Sequence, residues 1–169
     1  MKNLRNPKIL SFIAMLVVLA MVSASAFAAV TFPVLEKGDT GDFVTAMQYL
    51  LKAHGYSISA DGSFGPATLS AVKSFQKSKG ISEKGAVGSA TWKKLFINVK
   101  QGSSGDAVRA VQYLLKNRFG YSISVDGSFG PATLSAVKGF QKSKGLTQDG
   151  SVGSDTWSYL VALTKNIGR

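Results

Sequence analysis

Asp61 to Gly80 reads DGSFGPATLSAVKSFQKSKG, and Asp126 to Gly145 repeats it with one change, Ser74 to Gly139. A repeat of this length means that one unit is written twice. The similarity continues on both sides. Gly41 to Lys52 (GDFVTAMQYLLK) and Gly105 to Lys116 (GDAVRAVQYLLK) agree at nine of 12 positions, at an offset of 64. Gly85 to Trp92 (GAVGSATW) and Gly150 to Trp157 (GSVGSDTW) agree at six of eight, now at an offset of 65. The extra residue is an insertion at a helix end, where LKAHGY is matched by LKNRFGY. Two copies are too few, and each too long, for a solenoid. Each copy is therefore expected to be a small domain of its own, residues 34–97 and 98–163, with almost no linker between them.

The periodicity inside a copy is helical. Val44, Met47, Leu50 and Leu51 recur at three-to-four spacing and predict an amphipathic helix over 42–53, stopped by Gly55. Pro66 suits the first turn of a second helix, whose inner face carries Leu69, Val72 and Phe75 and which ends at Gly80. Ser89 is the expected N-cap of a short third helix with Trp92 and Leu95. The same signals predict Asp106 to Asn117, Pro131 to Lys144 and Ser154 to Thr164 in the second copy. Tyr56-Ser57-Ile58-Ser59 alternates but is too short to define a sheet. The fold class is all-α: two tandem three-helix modules with turn-rich connectors at 61–65 and 85–88.

The N-terminus reads differently. Lys2, Arg5 and Lys8 precede an apolar run from Ile9 to Val22, and Ala26-Phe27-Ala28 follows as a small-residue cleavage site. That order is a secretory signal over residues 1–28. The alternative is an uncleaved anchor, because Ile9 to Val30 is long enough to span a bilayer. The small residues Ser23 to Ala26 favour cleavage.

The 169 residues hold 20 Lys+Arg against 9 Asp+Glu, a net charge of +11, with 1 His and no Cys. No cysteine excludes a disulfide scaffold, Cys-ligated metal and a thiol nucleophile. One histidine excludes a multi-His metal site and a histidine-based triad in each copy, since His54 has no second-copy equivalent. His54 is expected exposed near a helix C-terminus. Without the signal the net charge is +8, which attracts polyanions. For a cytoplasmic chain nucleic acid would lead; for an exported one the anions are wall carboxylates and phosphates, and membrane headgroups.

The connector Asp61-Gly62-Ser63-Phe64-Gly65-Pro66 is the densest signal. Asp-Gly is a turn pair, with the Asp side chain accepting backbone N–H bonds. Gly62, Phe64, Gly65 and Pro66 fit a rigid loop feeding a helix, with Phe64 turned inward. Asp61, Ser63 and Thr68 are polar groups held where a ligand can meet them. No Walker lysine follows, so this is no phosphate loop. The aromatics Tyr49, Tyr56 and Trp92 recur as Tyr113, Tyr121 and Trp157. The tryptophans suit a core; the tyrosines suit a buried ring with a reachable hydroxyl, and aromatic faces also suit sugar rings. Lys73, Lys77 and Lys79 recur as Lys138, Lys142 and Lys144 on a solvated helix face. A glycosidase pair is conceivable from Asp42, Asp61, Asp106 and Asp126, but each has a simpler role in a cap or turn.

The whole pattern, G-x-x-V-x-x-x-Q-x-L-L, G-Y, D-G-x-F-G-x-x-T-x-x-A-V-x-x-F-Q and D-G-x-V-G-x-x-T-W, resembles the peptidoglycan-binding domain family, whose modules are often appended to cell-wall hydrolases. The resemblance covers both copies. It implies a three-helix fold, no cofactor, no metal, and non-catalytic binding to bacterial peptidoglycan, through stem peptide or glycan. Carried over, it points to Asp61, Gly62, Phe64, Gly65 and Thr68, and to Asp126, Gly127, Phe129, Gly130 and Thr133. Tyr56, Trp92, Tyr121, Asp149 and Trp157 complete the candidate set. The first copy departs at its late turn, where Lys84 stands in place of the aspartate that Asp149 supplies in the second. No hydrolase domain accompanies the copies in these 169 residues. The expectation is a secreted or wall-associated binder (periplasmic where there is an outer membrane) that uses two modules for avidity. It has no nucleic-acid partner, and contacts a membrane only if the signal stays on. The alternative is a wall-located adaptor or inhibitor of a separate hydrolase.

Overall fold

A computed structural model of the chain describes residues 30–82 and 84–163. The predicted signal segment, residues 1–28, lies outside the described residues. Six helices follow in order: α1 Asp42–Ala53, α2 Pro66–Ser78, α3 Ser89–Leu95, α4 Asp106–Asn117, α5 Pro131–Ser143 and α6 Ser154–Leu160. Among the described residues there is no strand, only isolated bridges that tie each leading segment to its module's turns: Leu35 to Val87 and Thr40 to Ser63, then Val99 to Val152 and Ser104 to Ser128.

Most of the apolar spacing read from the sequence is buried; Leu69, expected on the inner face of α2, is only partly buried and borders open space. Val44, Met47, Leu50, Leu51, Val72, Phe75, Trp92 and Leu95 are fully buried in the first module, and Val108, Leu114, Leu115, Val137, Phe140, Trp157 and Leu160 are essentially so in the second. Asp42 and Asp106 sit in the first turns of α1 and α4, and Lys52 and Lys116 in their last turns, the arrangement the helix dipole favours. Two local expectations need correcting. The N-cap of α3 is Gly88 rather than Ser89, and no side chain caps it; the chain enters the helix in extended conformation at Gly88. The last helix ends at Leu160, not Thr164, because Val161 and Ala162 are drawn into the core beyond it.

Each tryptophan is anchored by the segment that leads into its module. Trp92 Nε1 donates to Pro33 O at 2.8 Å, and Trp157 Nε1 donates to Ile97 O at 2.8 Å. Phe96, in the short connection between modules, stacks on Trp157 with ring planes 7° apart. The connection is thus part of the second module's core rather than a tether.

The modules dock through α1 and α4. Asp42 Oδ1 accepts from the Tyr113 hydroxyl at 3.0 Å, and the Arg118 guanidinium lies 3.9 Å from the Phe43 ring centre. At the other end Lys52 Nζ is 3.9 Å from Asp106 Oδ1. The start of each helix meets the end of the other, so they run antiparallel. Tyr49 and Tyr113, equivalent residues of the two copies, face each other at 6.2 Å, which places a pseudo-twofold axis between them. Ala46 and Ala110 precede them by three residues on the same helix faces and are fully buried; their small side chains let the backbones approach.

His54 is not the exposed residue expected. It is half-buried, its Nε2 is 3.0 Å from Leu95 O, and its ring lies 4.9 Å from that of Phe75. Burial pushes its pKa below the ordinary 6.5. The histidine ties the end of α1 to the end of α3.

The docking predicts that both modules melt together. Calorimetry of residues 29–169 is expected to show one transition, and Tyr113→Ala to lower stability by about 1–3 kcal/mol through lost packing and the lost bond to Asp42. Two separate transitions in the unmodified chain would contradict the interface.

Candidate functional site

A buried glutamine organises every turn. Gln48 lies on α1 and is fully buried. Its Oε1 accepts the Gly62 N–H at 2.8 Å. Its Nε2 donates toward Asp61 Oδ1 at 2.8 Å, Ser63 O at 3.0 Å and Thr68 Oγ1 at 3.1 Å. Asp61 Oδ1 also accepts the Ser63 N–H at 2.9 Å, and Thr68 Oγ1 lies 3.3 Å from Ser63 O. One carboxamide therefore closes the whole early turn onto α1. The side of Gly62 facing α1 has no room: a Cβ there would stand 2.8 Å from Thr45 Oγ1, and its φ of +75° is a glycine conformation.

The same clasp occurs at the late turn. Gln141 of α5 accepts from Gly150 N and donates toward Asp149 Oδ1, Ser151 O and Thr156 Oγ1. Gln112 of α4 does so with Gly127, Asp126, Ser128 and Thr133. Gln76 of α2 holds Gly85 N, Ala86 O and Thr91 Oγ1, but has no carboxylate partner because Lys84 stands there. Each module thus contains the clasp twice, four in all among the described residues.

This changes the reading of the candidate residues. Thr68 and Thr133 are buried clasp members, and Gly62 and Gly127 supply the clasped N–H. Phe64 and Phe129 are buried at 1% and 2% exposure, and Trp92 and Trp157 at 0%. The side chains of these four are packed in the core. Gly65 and Gly130 are the N-caps of α2 and α5. Tyr56 and Tyr121 are half-exposed; Tyr56 stands edge-on to Phe75, and Tyr121 lies over Gly139. Asp61, Asp126 and Asp149 are exposed, but one oxygen of each is committed to its turn. The backbone N–H of Ser63, Ser128 and Ser151, and then the glutamine amides, hold these carboxyls below the ordinary 3.8.

The glutamines were missed from the sequence. Their signal was present: D-G-x-[F/V]-G-x-x-T is legible three times, and a fourth time as Lys84-Gly85-Ala86-Val87-Gly88-Ser89-Ala90-Thr91. A glutamine precedes every one, on a helix and directly after an apolar residue (Met47, Phe75, Val111 and Phe140).

The open space on the surface lies beside one of these turns. A cleft of about 810 Å3 runs between the Asp149 turn and α6 of the second module and Phe32 and Lys93 of the first. Of the candidate residues only Asp149 lines it. The Leu163 N–H donates to Thr31 O at 2.9 Å, which brings the first module's leading strand-like segment against the end of the second. A smaller hollow of about 250 Å3 lies at the first module's late turn, bounded by Lys37, Lys73 and Lys84 with Glu36. The early turns are not part of either.

Comparison with known proteins agrees with the repeat. The family model described as a putative peptidoglycan binding domain matches residues 40–95 and 104–160. The N-acetylmuramoyl-L-alanine amidase CwlL of Bacillus licheniformis is 36% identical over 169 residues, covering 80% of this chain and 47% of the amidase. The zinc D-Ala-D-Ala carboxypeptidase of Streptomyces albus G is 40% identical over 67 residues, covering 38% of this chain and 26% of the enzyme. A peptidoglycan-binding protein from Clostridioides difficile, solved in complex with glutamine hydroxamate, shares 47% identity over 38% of this chain and 40% of its own, with a TM-score of 0.38. The chain spans less than half the length of each of these.

The clasps make stability pH-dependent with a definite sign. A carboxyl whose pKa is depressed on folding stabilises above 3.8 and loses that contribution as pH falls through its folded value. Lys84→Asp, which installs the missing carboxylate, is expected to raise the melting temperature at pH 7, with the gain vanishing in acid. Gln112→Ala, which strands the buried Gly127 N–H, is expected to cost about 1–3 kcal/mol. Melting curves at several pH values check both.

Proposed function

The chain belongs to the putative peptidoglycan binding domain family, with one copy in each module, and we propose that it is a secreted, non-catalytic cell-wall binder whose two modules engage one peptidoglycan scaffold together. The observation that carries this reading is that the family pattern fills both modules and that the polar residues recurring in both copies are spent on rigid turns, not on an acid–base pair. A general acid needs a raised carboxyl pKa. Asp61, Asp126 and Asp149 are lowered instead, each by the backbone of its own turn. His54 is engaged by Leu95 O. What the turns offer is a firm, solvent-facing polar rim on a small domain, which suits binding of a repetitive polymer.

A shallow rim binds weakly by itself. Two rims on one polymer gain about 10²–10⁴ in avidity when the geometry permits both. Here the α1–α4 docking fixes the spacing, so no ordering cost is added when the second module engages. The net charge of +8 after signal removal adds long-range attraction to wall carboxylates and phosphates. Export rests on the charge, apolar run and small-residue site of residues 1–28. Several relatives of this chain are wall amidases by name, and binding of the same polymer is the property that a shared module would confer.

Sedimentation with purified insoluble peptidoglycan tests the reading. The mature chain is expected in the pellet at low and at physiological salt. A chain that stays in the supernatant at low salt contradicts it, and one that is released completely by modest salt is a nonspecific polycation binder instead.

A further inference from the structure

The two copies are nearly identical along Asp61 to Gly80, yet one face has diverged. Lys84, Ala90, Lys93 and Lys94 of the first copy correspond to Asp149, Asp155, Ser158 and Tyr159 of the second. All three lysines and both aspartates are exposed. The charge is reversed at one place, Lys84 against Asp149; Asp155 stands for Ala90, and Lys93 and Lys94 are replaced by Ser158 and Tyr159, although the turn and helix beneath are the same clasped frame. Neutral drift of a solvated face does not need this pattern, and folding does not either, since the clasp forms with or without the carboxylate.

Docking then brings one of these lysines to the second copy's face, while Lys84 lines the smaller hollow. Lys93 of the first module lines the same cleft of about 810 Å3 as Asp149 and Asp155 of the second. None of the three forms an ion pair within 4.0 Å among the described residues, where the two pairs found join Asp106 to Lys52 and Arg109. Asp149 Oδ1 is taken by Gln141 and Ser151, and Oδ2 accepts no hydrogen bond from the described residues. Lys138, which also acts on Asp149, lies outside the cleft wall with its stem against Gly150. Phe32 and Tyr159, both partly buried, give the cleft apolar surface beside its charged groups. The volume is that of a small-ligand site.

We propose that this cleft is a composite site for a zwitterionic peptide of the cell wall, whose ammonium group faces Asp149 and Asp155 and whose carboxylate faces Lys93. The site rests on the peptidoglycan-binding reading and deepens it, selecting the stem peptide over the glycan. Opposite charges held apart in one cleft favour a ligand that carries both signs and disfavour one that carries a single sign. The aliphatic part of the peptide lies against Phe32 and Tyr159. Neither module has this site alone, because Lys93 and Phe32 come from one and the carboxylates from the other.

Calorimetric titration of the full mature chain with soluble alanyl-γ-glutamyl-lysine tests it. The free tripeptide is expected to bind. Acetylation of its amines, or amidation of its carboxylates, is expected to weaken binding about tenfold, the loss of one charge-assisted contact. Asp155→Asn and Lys93→Gln lie outside the clasps and are expected to keep the melting temperature. Asp155→Asn should reduce the penalty of acetylation, since Asp149 remains, and Lys93→Gln should abolish that of amidation. Equal binding of the free, acetylated and amidated peptides overturns the proposal, as does a de-N-acetylated glycan fragment that binds as well as the peptide. Sedimentation with insoluble wall is run beside it. Retention on the wall with no tripeptide binding removes the composite site and leaves wall binding standing; loss of both removes both.

Discussion

A single buried carboxamide per turn is the constraint on which the rest of this structure depends. Gln48, Gln76, Gln112 and Gln141 are each 0–1% exposed, and an amide so deeply buried is tolerated only when its donor and acceptor groups are both satisfied. The turn backbone supplies those partners: a glycine N–H to the oxygen, and a carbonyl, a threonine hydroxyl and, in three of four cases, an aspartate to the nitrogen. The arrangement locks a loop with little apolar content onto a helix. A module of about 64 residues without disulfides has few other means of holding its loops.

The second constraint is size. Each module's helices enclose a core around one tryptophan, and α1 and α4 add a shared layer of Phe43, Ala46, Tyr49, Ala110 and Tyr113. The pseudo-twofold relation follows from duplication: once two copies of one helix face each other antiparallel, equivalent residues meet at the axis, as Tyr49 and Tyr113 do. The symmetry is broken where function or later change has acted. Arg118, at the one-residue insertion, covers Phe43, whereas His54 packs on Phe75 of its own module much as Phe119 packs on Phe140. Because Phe96 stacks on Trp157, the modules are oriented by the connection as well as by the helices.

Much of this was legible in the sequence. Helical spacing of Val44, Met47, Leu50 and Leu51 and the Gly-Pro start of α2 located α1 and α2 almost to the residue, since those signals are local. The repeat announced two modules. The docking was not legible, because Tyr49 and Tyr113 read equally well as core or as surface aromatics until their partners are known. The candidate site was only partly legible. Asp61, Thr68 and their counterparts stood out because they are polar and recurrent, and they recur because they build the turn. Gln48 and its equivalents were overlooked because a glutamine in a helix has no distinctive propensity; only its burial gives it meaning. The cleft was invisible, since it joins Phe32 and Lys93 to Asp149 and Asp155 across more than fifty residues of chain.

The groups that build the turns are distinct from those that line the cleft. Chemical-shift mapping by nuclear magnetic resonance, on adding soluble peptidoglycan fragments to residues 29–169, tests that division most directly. The division predicts movement of the amides around Lys93, Asp155 and Tyr159, with the side-chain amides of the four clasping glutamines unmoved. Shifts centred on those glutamines, with the cleft silent, would contradict it.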